Sequence, residues 1–479
     1  MPGHKNIAAL AIYALSMPLA AATTSPQDAQ AIARIERSLP SALAIAGQTI
    51  ATRTLAAEMQ RLHVPGVSVA VIKDGKIAWA KGYGVTQAGG APVTPQTLFQ
   101  AASISKPVTA LAVLRMAEAG QLALDADINT ILTGWKLPTG AATRPVSLRQ
   151  LLSHTAGTTV SGFRGYAAGA QVPTLLQLLE GQAPANSGPV RIEAAPGEAW
   201  NYSGGGYSVV QQAMIDRAGQ PFDTLMHATV FKPLGMTDSS FAQPLSSASL
   251  ARAALPHDAS GALIAGGPHT HPELAAAGMW TTPSDLARFA LALQRGMADA
   301  GADGALSPAM TRTMLRPVMN NYALGLEIDG KASQQAFGHG GRNVGYHNSL
   351  YAYVQRGDGV VVMTNGDGAR ELVQGLIRAI AAEYRWPSYQ TVQRKAIALP
   401  GATRARLAGR YGINGATAFE IADRSGKLMI ALRENQWEPL YAESARRLFV
   451  LTRELDLHMA DKGGRLESGS FKTDFQRMP

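Results

Sequence analysis

Two hairpin patterns at opposite ends of a long segment most constrain how this chain can fold. In VPGVSVAVIKDGKIAWAKGYGV, Val67, Val69 and Val71 alternate with small residues, and Asp74-Gly75 is a preferred two-residue hairpin turn. Much later, NSLYAYVQRGDGVVVMTNGD alternates on both sides of a Gly-Asp-Gly turn. The sequence therefore predicts antiparallel strands that both ends of one domain contribute.

The sequence between and after these hairpins favours helices. Apolar residues at helical spacing predict helices over 101–119 and about 369–384. TPSDLARFALALQRG predicts another, with Thr282 or Ser284 as its cap and Gly296 as its end. The predicted fold class is α+β, an antiparallel sheet flanked by helices with a helical region inserted between its strands.

The pattern changes near the C-terminus. From about Leu407 onward we expect only short strands separated by tight turns, five or more of them, and no convincing helix. Such a segment favours a small β-barrel or β-meander. The predicted division is a main domain over 23–388 and a C-terminal β domain over 389–479.

The N-terminus has the pattern of a secretory signal. A short basic start is followed by an apolar run that ends in small residues, which predicts a signal peptide over 1–22. The alternative is an uncleaved membrane anchor, but the run is shorter than the roughly 20 apolar residues that a spanning helix needs. We expect an exported protein, periplasmic or secreted, with no stable membrane insertion after cleavage.

Composition excludes several functional classes. The chain has no cysteine, so a disulfide, a thiolate nucleophile and a Cys-ligated metal are excluded. The net charge is +9, but there is no run of five or six Lys and Arg residues, so nucleic-acid binding has little support. We expect a small-molecule or peptide substrate and no cofactor or metal; the sequence does not indicate an oligomeric state.

One candidate nucleophile stands out in AASISKPVTALAVL. Ser103 and Lys106 are three residues apart at the start of a predicted helix, so they share a face. A hydroxyl is a poor nucleophile until a base takes its proton, and a lysine that is partly desolvated can have its pKa lowered enough to help. A Ser-x-x-Lys pair is common by chance, so this spacing alone is weak.

The stretch NYSGGGYSV leaves three interpretations open: a phosphate loop, a nucleophile at Ser203, or chemistry at Tyr202. The glycine run lacks the spacing and the lysine of a phosphate loop, and Ser203 has no evident base. Tyr202 is a poor base unless cations stabilise its phenolate, which Lys106, and His339 if charged, would do.

Other residues have simpler interpretations. PHTHPE offers His269, His271 and Glu273 as metal ligands, although loop histidines of this kind usually face solvent. His154 is expected to form a hydrogen bond within its own turn. Met279 and Trp280 are expected to pack under the floor of the site. No G-x-S-x-G occurs, which argues against an α/β-hydrolase.

The order of these motifs resembles one family. Ser103-x-x-Lys106, Tyr202 in YSGGGY and His339-Gly340-Gly341 in FGHGGRNVGY occur with LRQLLSHTAG, FKPLGMTDSSF and AAAGMWTTPSDLARFALAL. Together they resemble the serine hydrolases that include class C β-lactamases, DD-peptidases, D-aminopeptidases and esterases, over about residues 50–385. The resemblance implies a β-lactamase/transpeptidase-like fold.

The resemblance also implies roles. Ser103 is expected to be the nucleophile, Lys106 its activating partner, and Tyr202 a proton relay. His339 is expected to have a catalytic role. Together with Gly340 and Gly341, it would form an edge-strand element that binds substrate. The backbone N–H groups of Ser103 and Arg342 would form the oxyanion hole.

Two positions depart from the family pattern. Gly204 replaces the asparagine of the Y-x-N element, whose amide helps hold the lysine and the substrate in β-lactam-cleaving members. His339 replaces the lysine of K-T-G, so the positive clamp for a carboxylate is only partly charged near neutral pH, although Arg342 lies beside it. Gly204 and Arg342 therefore join the expected substrate-binding residues.

These departures favour an ester or a D-amino-acid peptide or amide as substrate, cleaved through an acyl-enzyme on Ser103. Three alternatives remain: a β-lactamase, a non-catalytic penicillin-binding or sensing protein, and an acyl-transferring transpeptidase or macrocyclase.

Overall fold

A computed structural model describes residues 25–140, 144–298, 305–433, 435–453, 455–468 and 471–479. The predicted signal peptide over 1–22 lies outside the described residues. No helix in these ranges is both long and apolar enough to cross a membrane.

The helices are α1 (Pro26–Arg37), α2 (Leu55–Arg61), α3 (Ser105–Glu118), α4 (Ile128–Ile131), α5 (Leu148–Leu152), α6 (Leu175–Glu180), α7 (Gly204–Ala218), α8 (Phe222–Met226), α9 (Lys232–Leu234), α10 (Ser247–Leu250), α11 (Leu274–Ala277), α12 (Pro283–Met297), α13 (Pro308–Leu315), α14 (Arg370–Glu383) and α15 (Gly401–Leu407). Short 3₁₀ turns cover Ala102–Ile104 and Ala332–Gln334, and a π turn covers His227–Phe231.

The strands are β1 (Leu39–Pro40), β2 (Leu43–Ile45), β3 (Thr52–Arg53), β4 (Gly66–Lys73), β5 (Lys76–Gly84), β6 (Phe99–Gln100), β7 (Trp280–Thr281), β8 (Glu327–Asp329), β9 (Ala336–Asn343), β10 (Tyr346–Tyr353), β11 (Gly359–Thr364), β12 (Val392–Arg394), β13 (Gly409–Ile413), β14 (Ala416–Arg424), β15 (Lys427–Ala431), β16 (Trp437–Pro439), β17 (Tyr441–Ser444), β18 (Arg447–Phe449), β19 (Asp456–Ala460), β20 (Gly463–Ser468) and β21 (Phe471–Arg477).

The central sheet joins the two ends of the main domain, as the hairpin patterns predict. Its six antiparallel strands lie in the order β5-β4-β11-β10-β9-β8. The early and late hairpins meet where β4 pairs with β11, with Val69 opposite Val362. The predicted α+β class is confirmed.

The alternation in β4 divides the core into two layers. Val67, Val69 and Val71 pack with α1, α2 and α14, whereas Ala70 and Ile72 pack with the helices of the larger layer. Successive side chains of a strand point to opposite faces of the sheet, and the small residue at 70 lies where α12 approaches β4. The larger layer contains α3 and α7, which position the candidate site.

Two predicted helix boundaries need correction. The helix expected to end at Gly296 continues to Met297. Gly296 instead lies where α12 packs against α13, since a Cβ there would lie 2.4 Å from Thr311 Oγ1. The helix expected from 101 begins as a 3₁₀ turn and becomes α-helical only at Ser105.

The C-terminal region is a nine-stranded antiparallel sheet with the order β16-β15-β14-β13-β21-β20-β19-β18-β17. Only Leu440 separates its two edge strands in sequence, so the sheet nearly closes on itself. In its interior the rings of Tyr411 and Phe419 stack, and the ring of Phe475 meets both of them edge-on. The predicted extra β fold is confirmed, and α15 directly precedes its first strand.

Candidate active site

The turn before α3 places Ser103 at its apex. Ala102 has a φ of +52°, a strained value for a residue with a Cβ. The strain is balanced by hydrogen bonds to neighbouring backbone: Ser105 Oγ donates to Ala102 O at 2.6 Å and accepts from Met279 N at 3.0 Å. Ala101 N also donates to Met279 O at 2.8 Å. The turn that carries Ser103 is therefore anchored to the buried segment next to β7.

Lys106 lies directly against this turn. Its Nζ is 3.0 Å from Ser103 Oγ and donates to Ala276 O at 2.7 Å. The rings of Tyr202 and Tyr207 lie 4.9 and 5.7 Å from the same nitrogen. Burial lowers the pKa of Lys106 to about 7, and the charge of Glu273 opposes that shift. A substantial neutral fraction near pH 7 gives Lys106 a lone pair that can accept a proton from Ser103.

Tyr202 faces both residues. Burial raises its pKa above the ordinary value, and the interaction with the Ser103 hydroxyl only partly opposes this. Tyr202 is therefore a neutral phenol at neutral pH in the free protein. The phenolate considered from the sequence is not the resting form, and the phenol is instead suited to give a proton.

The glycine run begins α7 and forms no phosphate cradle. The N–H of Gly204 donates to Ser161 O at 3.1 Å, and Ser203 Oγ donates to Thr159 O at 2.7 Å. A Cβ on Gly205 would lie 2.6 Å from Thr159 O. The glycines thus let the loop before them pack against the helix N-terminus. Because the Ser203 hydroxyl is occupied in capping α7, Ser203 is not a suitable nucleophile.

Gly204 also marks the position of the missing family asparagine. A Cβ at Gly204 would lie 2.9 Å from Cε2 of Phe163, so the aromatic ring occupies the space that a side chain would need. An amide cannot be accommodated there unless Phe163 moves.

His154 does not form the expected hydrogen bond within its own turn. Its Nδ1 accepts from the N–H of Ser203 at 3.1 Å, and its ring lies 4.3 Å from that of Tyr202. Burial, followed by the charge of Lys106, lowers its pKa well below the ordinary value. His154 is therefore a neutral ring that fixes the backbone beside Tyr202.

His339 is also neutral, which corrects the expectation of a partly charged clamp. Burial and then the charge of Lys106 lower its pKa to about 3. Its Nδ1 is 2.5 Å from Gly340 O, and its Nε2 is 3.0 Å from Tyr322 Oη. Since a carbonyl only accepts, Nδ1 carries the proton and Tyr322 donates to Nε2. Both ring nitrogens are engaged, so His339 shapes the edge strand and cannot supply a permanent positive charge.

The outer edge of β9 is open beside Ser103. Among the described strands, β8 pairs with β9 only as far as Gly338. In the β9–β10 register, Val354 N donates to Gln335 O, so residue 335 and every second residue after it direct their backbone groups toward β10. Arg342 belongs to the other set. Its N–H therefore points away from β10, toward the outer edge. A Cβ on Gly341 would lie 2.2 Å from Ala101 O, so β9 passes close to the Ser103 turn. This geometry brings the two expected oxyanion-hole residues together.

The three PHTHPE residues do not converge. His271 and Glu273 are fully buried, and their Nδ1 and Oε1 atoms are 2.8 Å apart, whereas Nδ1 of the partly exposed His269 is 2.9 Å from Arg164 O. The expectation that these histidines face solvent is therefore wrong for His271. Within the described ranges no group of three His, Asp or Glu side chains is arranged to hold a metal ion. Met279 and Trp280 are buried, as expected.

Sequence reasoning missed several residues of the site. Phe163 and Tyr322 contact Gly204 and His339, yet neither belongs to a motif with a recognised role. Ser105 lies between Ser103 and Lys106 without a predicted role, and the sequence suggested Glu273 only as a metal ligand. The SHTAG motif drew attention to His154, but the partner of His154 is distant in sequence and only the fold shows it.

Comparisons with known proteins agree with this geometry. The family model described as Beta-lactamase matches residues 51–385. Penicillin-binding protein 4 of Amycolatopsis lactamdurans is 27% identical over 67% of this chain and 86% of its own length. Esterase EstB of Burkholderia gladioli is 32% identical over 42% of this chain, a match that spans 54% of the esterase. The octameric penicillin-binding protein homologue from Pyrococcus abyssi has a TM-score of 0.58 at 21% identity and covers 88% of this chain and 98% of its own.

Proposed function

We propose, from the premise that this chain belongs to the β-lactamase family of serine hydrolases, that it forms an acyl-enzyme on Ser103 and cleaves an ester or a D-amino-acid peptide or amide. The observation that supports this most directly is the 3.0 Å separation between Lys106 Nζ and Ser103 Oγ. It places a lysine whose pKa is lowered to about 7 within proton-transfer distance of the nucleophile.

Acylation then proceeds with balanced proton transfers. Ser103 gives its proton to neutral Lys106 while Oγ bonds to the substrate carbonyl carbon. The N–H groups of Ser103 and Arg342 stabilise the negative charge that develops on the carbonyl oxygen. When the bond to the leaving group breaks, the leaving group takes the proton of Tyr202, and the Lys106 ammonium reprotonates Tyr202. Water attacks the acyl-enzyme in the second half-reaction, and the same groups return the proton to Ser103.

The substrate preference rests on the absence of two anchoring groups. The ring of Phe163 fills the space at Gly204, and His339 is neutral, so neither an amide nor a fixed positive charge from these positions recognises a β-lactam. The open edge of β9 suits an extended acyl group that aligns with the strand. The presence of an esterase among the relatives is consistent with an ester substrate.

We further propose that the protein acts after export, in the periplasm or outside the cell. The support is the signal-like N-terminal sequence.

A substrate panel tests the proposed function. Short-chain p-nitrophenyl esters, D-amino-acid amides and peptides, and nitrocefin are compared for product release and for the mass of a trapped acyl-enzyme. We expect turnover of an ester or D-amino-acid substrate, with slow or absent nitrocefin hydrolysis. Ser103→Ala should abolish turnover and labelling by a fluorophosphonate, while Ser203→Ala serves as a matched control that retains labelling.

Each contrary outcome has a distinct meaning. Undiminished turnover by Ser103→Ala would refute the acyl-enzyme assignment. Fast nitrocefin hydrolysis would establish a β-lactamase, and a stable adduct without turnover would establish a binding or sensing protein. A condensed product in the presence of added amines would show acyl transfer in place of hydrolysis.

A further inference from the structure

A buried ionisable pair lies behind the catalytic lysine. His271 and Glu273 are both fully buried, with Nδ1 and Oε1 2.8 Å apart. Glu273 Oε2 and His271 Nε2 are buried and have no hydrogen-bond partner among the described residues. Burying an ionisable pair whose hydrogen bonds are incomplete costs several kcal/mol, so its presence next to the site calls for a reason.

The backbone links this pair directly to Lys106. Glu273 immediately precedes α11, and its carbonyl accepts from Ala276 N at 3.1 Å. The carbonyl of Ala276 in turn accepts from Lys106 Nζ at 2.7 Å. Movement of Glu273 would therefore displace the carbonyl that orients the lysine.

Two glutamines fix the segment that contains the pair. Gln243 Oε1 accepts from His271 N at 2.7 Å, and Gln243 Nε2 donates to Gly278 O at 2.6 Å. Gln211 of α7 donates to Pro272 O at 3.1 Å and accepts from Ala275 N at 3.1 Å. The position of Glu273 is thus fixed from both α7 and the loop that contains Gln243.

The other ionisable groups around Lys106 supply no negative charge. Tyr202 and Tyr207 have raised pKa values because they are buried, and His154 and His339 have lowered ones for the same reason. All four are neutral near pH 7. Of the described residues, Glu273 is the carboxylate whose charge acts on Lys106. Tyr166 is a further phenol whose pKa the charge of Glu273 raises, after burial.

We propose that Glu273, held by His271, is a positioning residue that supplies the buried negative charge for Lys106 and stabilises the ammonium ion formed when Ser103 loses its proton. This inference rests on the proposed function, in which Lys106 receives that proton. Without the carboxylate, the positive charge would develop in a site that has no ionised partner.

The pH dependence of acylation tests the inference. In Glu273→Gln, the acidic limb of kcat/KM should move to lower pH by about one unit, because the ammonium form of Lys106 is less stable. The plateau should fall about tenfold, because a less basic lysine is a weaker proton acceptor. A purely structural defect would lower the plateau and leave the limb in place.

Matched variants provide the controls. Glu273→Asp, which keeps the charge, should move the limb less than Glu273→Gln and in the same direction. Glu58→Gln removes another buried glutamate, one that pairs with Arg61 on α2 in the opposite layer, and should leave the limb unmoved. If Glu273→Gln does not fold, as judged by its Tm, the shift in Glu273→Asp decides the question.

Two failures are distinguishable. If fluorophosphonate does not label Ser103 in the wild-type protein, the proposed function is wrong. If Ser103 is labelled but the limb stays in place in both Glu273 variants, the proposed function survives and the role of Glu273 is refuted.

Discussion

The candidate catalytic region and the C-terminal sheet place ionisable side chains in opposite environments, and their pKa values shift for different reasons. In the catalytic region, burial without an ion-pair partner brings the pKa of Lys106 to about 7 and keeps His339 neutral. In the C-terminal sheet, hydrogen bonds to Arg394 lower the pKa of Glu443, and those to Arg465 lower that of Asp474. Pairing favours the charged form of each group, whereas burial without an ionic partner favours the neutral form.

The difference follows from where each group is placed. Lys106 is 2% exposed and its side-chain partners are a hydroxyl and aromatic rings. The Arg465–Asp474 pair is more than half exposed, so water solvates both charges. Perturbed pKa values tend to cluster at functional sites, and this molecule follows that tendency.

Lys106→Met is the substitution with the largest expected effect. Removing the proposed base should reduce kcat/KM by at least about a hundredfold. The same change should raise Tm near neutral pH, because an apolar side chain replaces a buried amine. Steady-state kinetics and thermal unfolding on the same preparation check both effects.

The pH dependence of stability tests the cause of that effect. The pKa of Lys106 is about 7 in the folded protein and near 10.5 when the lysine is unperturbed. Between these values the unfolded chain binds more protons, so the contribution of Lys106 makes the protein more stable as pH rises from about 7 to about 10.5. Lys106→Met should lose this slope, while Lys136→Met, at an exposed lysine, should retain it. Parallel curves for wild type and Lys106→Met would refute the lowered pKa.

His154 offers an intermediate test within the catalytic region. His154→Ala leaves the buried N–H of Ser203 without an acceptor and removes the ring beside Tyr202, so we expect a loss of about 1–3 kcal/mol in the free energy of unfolding. The value of kcat should fall more than KM changes, because Tyr202 is the proposed proton donor in the chemical step.

His154→Asn is the matched variant. His154 has a φ of +60°, which asparagine tolerates better than alanine, and the asparagine carbonyl can accept from Ser203. It should therefore recover part of the stability measured by denaturant unfolding. Equal loss in both variants would show that the ring contacts, not the hydrogen bond, are what matters.

The contrast between the two regions also explains what the sequence could predict. Period-two alternation predicted the hairpins of the central sheet, because successive side chains of each strand alternate between two layers. Short strands separated by tight turns predicted the C-terminal sheet. The order of Ser103, Lys106, Tyr202 and His339 predicted the residues that the fold brings together. Neither pattern shows how deeply a side chain is buried. The sequence therefore could not predict that His339 is neutral or that Tyr202 is protonated.

The missed residues have the same physical origin. Phe163 and Tyr322 contact Gly204 and His339, which are distant from them in the chain, and a single sequence does not show such contacts. The expected helix end at Gly296 rests on the tendency of glycine to follow the last residue of a helix. Its actual role is to allow α13 to approach α12, which is a property of packing between two helices.

Arg394→Met has the smallest expected effect on activity and tests the paired ionisable groups of the C-terminal sheet. Arg394 is 8% exposed, its Nε and Nη2 donate to Glu443 at 3.0 Å, and it also pairs with Asp456. Replacing it leaves two carboxylates near each other, so we expect a loss of about 1–3 kcal/mol in the free energy of unfolding at neutral pH. The values of kcat and KM should not change, because β12 and the C-terminal sheet contribute none of the candidate catalytic residues.

The sign of the pH dependence distinguishes this loss from a packing defect. The pKa of Glu443 is lowered in the folded state, chiefly by the hydrogen bond to Arg394, so the pair stabilises the protein above the unfolded pKa of glutamate, about 4.3. That contribution disappears as pH falls through the folded pKa, and the Tm values of wild type and Arg394→Met should converge there. Arg465→Met, in an exposed pair, should change Tm little at any pH. Loss of activity in Arg394→Met with an otherwise intact Tm would show instead that the C-terminal sheet is coupled to the catalytic region, and the separation between the two regions would fail.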